Sequence, residues 1–185
     1  MTSDMGLEHK FARFGAEVTL SDGAVIEGYA SRFNEVDHGG EIVMAGAYRA
    51  SIKRLAEKGQ RVKMLWQHDP AQPIGVWDEV REDATGLWVK GRILDSTQKG
   101  SEAAALIQAG AIDGLSIGFR TRRAQRNEKG QRLLTELELW EVSLVTFPML
   151  PSARVAAKGD TPQADDALRE LAAVLKGARL SSARD

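Results

Sequence analysis

Three side-chain types that together can activate a hydroxyl stand inside apolar, strand-like runs of this sequence. Gly114-Leu115-Ser116-Ile117-Gly118-Phe119 sets one hydroxyl and two glycines in an otherwise apolar stretch. Met64-Leu65-Trp66-Gln67-His68-Asp69 ends an apolar run on an imidazole, and Leu139-Trp140-Glu141-Val142-Ser143-Leu144-Val145 holds a carboxylate inside a third run. A nucleophilic hydroxyl, an imidazole to take its proton and a carboxylate to orient that imidazole are the parts of an activated-serine site.

Each residue has a plainer reading beside the chemical one. Alternation along a strand puts Leu115, Ile117 and Phe119 on one face and Ser116 and Gly118 on the other. That second face carries almost no bulk, which suits either a serine that needs clearance for a peptide carbonyl or a small pair under a close-packed element. His68 would share a strand face with Val62, Met64 and Trp66, so it is either a structural histidine or a neutral general base in a partly apolar setting. Glu141 follows Leu137 and Leu139 at period two, where a leucine is expected. A lone buried carboxylate costs several kcal/mol unless paired, so Glu141 requires a fixed partner, either Nδ1 of His68 or a structural arginine. Asp69 is the alternative orienting group for His68, disfavoured because neighbouring strand side chains diverge.

Other chemistries lack their residues. The chain of 185 residues has no cysteine, which removes disulfides, thiolate metal sites and a cysteine nucleophile. Its three histidines, His9, His38 and His68, form no His-Glu-x-x-His motif, so no metal is expected. No glycine-rich loop leads into a helix to cradle phosphate, and no cofactor is expected. A net charge of −1 gives no general attraction to nucleic acid or to an acidic membrane. The run Arg120, Arg122, Arg123, Arg126, Lys129 and Arg132 lacks interleaved aromatics and reads as a solvated hairpin tip rather than a nucleic-acid partner site, with contact to nucleic acid or an acidic peptide as the alternative. No apolar run reaches the ~18 residues of a spanning helix, and the first ten residues lack the basic and apolar regions of a secretory signal. A cytoplasmic site of synthesis is therefore expected.

The elements that must position these residues follow from pattern. Val18–Leu20 and Val25–Ala30 flank a Ser21-Asp22-Gly23 turn and predict two strands. Tyr48, Ile52 and Leu55 recur at helical spacing from Ala47 to Lys58, with Gly59 as the stop. Strands are predicted at Val62–His68, Val76–Glu82 and Gly86–Leu94, and a helix over Ser101–Ala109 capped by Ser101 or a nearby polar residue. Leu115–Ala124 and Gln131–Phe147 flank an Asn127–Gly130 turn and predict a long hairpin. Composition shifts after Pro148 and Pro151. A main domain over residues 1–157 is expected, followed at 158–185 by a linker and an amphipathic helix, N-capped by Thr161 and striped by Leu168, Leu171, Ala172 and Leu175.

An ordered set of segments resembles the tailed-phage prohead serine protease family. These are Gly28-Tyr29-Ala30-Ser31-Arg32-Phe33, Gly46-Ala47-Tyr48, Leu65-Trp66-Gln67-His68-Asp69 leading to Pro73-Ile74-Gly75, Gly114 to Phe119, and Glu141-Val142-Ser143-Leu144-Val145-Thr146-Phe147-Pro148. Two of them also look like the herpesvirus capsid-maturation protease. The resemblance implies an α+β fold, a small, mainly antiparallel β-barrel with peripheral helices. It implies a serine endopeptidase with Ser116 as nucleophile, His68 as base and Glu141 where the herpesvirus enzymes carry a second histidine. It further implies a substrate in scaffold or in the N-terminal segment of the major capsid protein, self-cleavage, and action inside a procapsid assembling in the bacterial cytoplasm, of a phage or a phage-derived gene transfer agent. A homo-oligomer is a further expectation on the same ground. A catalytically silent capsid-assembly module is the alternative. Ala45-Gly46-Ala47-Tyr48 departs from the family's Pro-Gly-Ala-Phe, and Met149 and Leu150 fall about where the herpesvirus enzymes place an arginine pair.

Overall fold

The computed structural model describes residues 8–12, 25–37 and 39–146. The predicted strand Val18–Leu20, the boundary at residue 157 and the helix after Thr161 lie outside the described residues. Eight strands and two helices follow in the order β1 (Glu8–Ala12), β2 (Val25–Arg32), β3 (Glu41–Val43), α1 (Arg49–Glu57), β4 (Lys63–Trp66), β5 (Asp69–Glu82), β6 (Gly86–Ile93), α2 (Gln98–Gln108), β7 (Gly114–Arg126) and β8 (Arg132–Val145). They form one sheet in the order β1-β7-β8-β4-β5-β6-β2, with β3 added to the outer part of β8.

The sheet is mixed. β8 runs antiparallel to β7 but parallel to both β3 and β4. β2 curls back towards β1 and β7, yet no ladder joins these edges among the described residues. Most of the ladders are antiparallel, as expected, but the expected barrel is corrected to a curled half-barrel with parallel pairings of β8 to β3 and β4. Its concave face buries Ile26, Leu87, Val89, Ile74, Trp77, Met64, Val142, Leu144, Leu115, Ile117 and Phe119 in one core. At about 25 cal/mol per Å² of apolar surface, this burial is the main force holding the curl.

Both helices end where glycine allows. After α1, Gly59 at φ 61° donates to Ala56 O and Gln60 to Leu55 O; after α2, Gly110 at φ 69° donates to Ile107 O and Ala111 to Leu106 O. This paired pattern satisfies carbonyls that a helix end otherwise leaves open. Helix α2 starts three residues before its predicted start, because Thr97 is the cap and its hydroxyl accepts the Gly100 N–H at 3.1 Å. The buried Ser51 hydroxyl of α1 accepts the Leu139 N–H at 2.9 Å and so pins the helix to β8.

The β5–β6 turn is held by Asp83, whose carboxylate accepts the N–H groups of Thr85 and Gly86, the Tyr29 hydroxyl and the Arg81 guanidinium. Burial alone would raise this carboxyl, but those four donors together hold it below its ordinary value.

Candidate active site

His68 reaches its position through a strained turn. β4 ends at Trp66, β5 begins at the paired Asp69, and the two intervening residues, Gln67 and His68, have φ of 52° and 62°. Positive φ at both central residues suits the twist of a two-residue hairpin, but neither glutamine nor histidine favours it. Such backbone costs about 1–3 kcal/mol per residue and persists where surrounding contacts hold it. The Gln67 N–H donates to Leu144 O at 2.9 Å, and its amide donates to the Thr146 hydroxyl at 2.6 Å. The expectation that His68 ends a strand on the face of Met64 and Trp66 is thus corrected. It leaves the strand direction, and its imidazole turns towards β8.

There Nδ1 of His68 lies 2.6 Å from Oε1 of Glu141, with the two side chains 11% and 6% exposed. An ionised carboxylate can only accept, so Nδ1 is the donor in this contact and Nε2 is the ring nitrogen left for other partners. The imidazole is a partner of Glu141, one of the two alternatives the sequence left open. Asp69 is committed elsewhere, accepting the Ala71 N–H at 2.8 Å and the Gln72 amide at 2.6 Å.

Pairing of β7 with β8 brings the third residue to the same face. Ser116 lies opposite Ser143 and Gly118 opposite Glu141, and directly opposed side chains share a face. Phe119, by contrast, pairs with Leu139, which leaves Trp140 as an extra residue in β8. This bulge breaks the leucine phase and moves Glu141 from the core face to the face of Ser116. The phase argument for Glu141 is corrected accordingly: the carboxylate does not replace a core leucine.

Gly118 has a different use from the one its bare face suggested. A Cβ built there would fall on Oε1 of Glu141 and lie 2.8 Å from its carboxyl carbon. The glycine leaves space for the carboxylate. Ser116 itself is fully buried. Ser143 was passed over in the sequence, although its i, i+2 relation to Glu141 placed it on the same face. Its hydroxyl donates to Oε2 of Glu141 at 2.5 Å and accepts the His68 main-chain N–H at 3.3 Å.

Other features lie apart from this corner. An open groove of about 420 Å³ between α1 and the outer half of the hairpin is lined by Arg54, Lys58, Arg61, Lys63, Arg122 and Trp140, among others, and by none of Ser116, His68 or Glu141. The hairpin arginines have local partners: Arg122 with Glu138, Arg123 with Glu136, Arg132 with Glu41, and Arg120 over the Trp140 ring. Among the described residues, no three His, Asp or Glu side chains converge where a metal ion could sit, and no helix is long and apolar enough to cross a membrane.

Comparison with known proteins bears on what this arrangement is for. Residues 15–166 match the family model of the caudovirus prohead serine protease. The chain is 32% identical over 136 residues to the prohead protease of Enterobacteria phage HK97, covering 72% of this chain and 59% of that protein. It therefore spans about three-fifths of this relative's length. It is 30% identical over 112 residues to the capsid polyprotein of Pseudomonas phage PAJU2, covering 54% of this chain and 17% of that one. Among solved structures, the bacteriophage T4 capsid assembly protease gp21 superposes with a TM-score of 0.59 at 19% identity, over 77% of this chain and 98% of that one, and shares the fold.

Proposed function

The chain belongs to the caudovirus prohead serine protease family, and from that premise we propose that it is a serine endopeptidase of capsid maturation. Ser116 is the nucleophile, His68 the general base and Glu141 the group that orients it. The observation that carries this reading is the 2.6 Å contact between His68 Nδ1 and Glu141, made one register step from Ser116 on a shared sheet face. In the reaction, Oγ of Ser116 bonds to the scissile carbonyl carbon while its proton passes to Nε2 of His68. That proton goes on to the departing amine, and water, deprotonated by the same nitrogen, then releases the acyl group. Glu141 fixes the tautomer and stabilises the imidazolium formed between these steps.

The substrate is scaffold or the N-terminal segment of the major capsid protein, with self-cleavage, inside the procapsid in a bacterial cytoplasm. Likeness to a capsid polyprotein and to two phage assembly proteases supports this partner. Coexpression of the chain with its capsid protein, followed by intact-mass measurement, should show processing that Ser116→Ala abolishes. Continued processing by that variant would overturn the assignment.

A second reading is a catalytically silent assembly module, favoured by the complete burial of Ser116. A fluorophosphonate separates the two readings: it reacts at Ser116 of a protease and leaves a silent module unmodified.

A further inference from the structure

We infer that Ser143 is a positioning residue for the His68–Glu141 pair, a role that rests on the reading of that pair as base and orienting group. Its hydroxyl is fully buried, where a polar group is held by its hydrogen bonds. The O–H donates at 2.5 Å to Oε2 of Glu141, the oxygen that His68 does not take, so both carboxylate oxygens have fixed donors and the group cannot rotate freely. The same Oγ accepts the main-chain N–H of His68 at 3.3 Å. One side chain thereby touches the orienting carboxylate and the backbone of the base, and it braces a turn whose residues sit at unfavourable positive φ.

The arrangement is matched to its surroundings. Ser143 lies opposite Ser116 on β7 and beside Leu65 on β4, so its hydroxyl is enclosed between two strands. Alanine would fit but would remove a donor from Glu141 and an acceptor from His68 together. Its proton is committed to a carboxylate, which distinguishes Ser143 from a hydroxyl that must pass its proton to an imidazole.

The test uses the full chain and a rhodamine fluorophosphonate at several concentrations, which separates probe binding from the inactivation step. Ser143→Ala should slow inactivation about 10- to 100-fold while the half-saturating probe concentration stays within about twofold. Ser143→Thr, which keeps the hydroxyl, should recover to within about threefold of the parent rate. An unchanged inactivation rate in Ser143→Ala, with no labelling of Ser116→Ala, would overturn the positioning role while the assignment of Ser116 stands. Labelling that survives in Ser116→Ala but is lost in Ser143→Ala would instead sink the nucleophile assignment and the positioning role together. A second measurement needs no activity: in the Ser116→Ala background, the downfield proton resonance of His68 Nδ1–H should shift or broaden when Ser143→Ala is added. A resonance that stays fixed would overturn the inference.

Discussion

The β7–β8 hairpin carries acidic side chains in two settings. In its inner half, Glu141 is 5% exposed and commits one oxygen to His68 and the other to Ser143. In its outer half, Glu138 and Glu136 face Arg122 and Arg123 with side chains 27% to 79% exposed. Screened outer pairs contribute about 0–1 kcal/mol, whereas a buried carboxylate deprived of a hydrogen-bond donor costs about 1–3 kcal/mol or more. A buried carboxylate must be specified atom by atom, and the inner half supplies a bulge, a glycine, a serine and a strained turn to do so. The outer half needs only opposite charges within reach.

Removing the inner charge should have the largest effect. Glu141→Gln keeps the shape, but its amide can donate to Nδ1 of His68 and so favour the wrong tautomer. A loss on the order of 10³- to 10⁴-fold in kcat is expected, with the fold retained by circular dichroism. If peptide cleavage falls less than about tenfold, Glu141 is a structural partner of His68, and the two halves of the hairpin differ only in burial.

Next in size is Gly118→Ala. The added methyl group would fall on Oε1 of Glu141, so either the carboxylate moves off His68 or β7 moves off β8. Overpacking of this kind costs about 1–3 kcal/mol, readable by urea unfolding, and cleavage should fall with it. Unaltered stability and activity together would show that the carboxylate is not held against Gly118.

How much of this was legible in the sequence depends on which residues must meet. The three segments bearing Ser116, His68 and Glu141 could be picked out because each sets a reactive group in an apolar run, and Gly59 announced the stop of α1. Their mutual arrangement is set by non-local pairing. The bulge at Trp140 exists only because Phe119 takes Leu139 and Gly118 takes Glu141, and no periodicity within β8 reveals it. The Gln67–His68 turn was hidden because neither residue is a turn former, and its strain is offset by bonds to Ser143, Leu144 and Thr146. β5 begins at Asp69 rather than Val76 because its first residues pair with β4, from Trp66 with Asp69 to Lys63 with Val76, and Pro70 and Pro73 are tolerated there because pairing with β6 starts only at Gly75. The parallel pairing of β4 with β8 joins elements whose separation carries no local signal.

The smallest effect expected is the sharpest control. Glu138→Gln removes an outer carboxylate three residues from Glu141 on the same strand, so it shares the hairpin, the chain neighbourhood and the change of chemistry with Glu141→Gln. It differs in setting: Glu138 is 27% exposed, its partner Arg122 is 47% exposed, and water can solvate either alone. The expected change in unfolding free energy is within about 0.5 kcal/mol, and fluorophosphonate labelling should proceed at the parent rate. A double-mutant cycle with Arg122→Ala isolates the pair itself and should return a coupling below about 1 kcal/mol that shrinks further as salt is raised. A coupling of several kcal/mol, or a labelling rate that falls with Glu138, would mean that the outer pairs help hold the inner corner. The strained turn and buried carboxylate would then draw on the whole length of β8 rather than on Gly118, Ser143 and Gln67 alone.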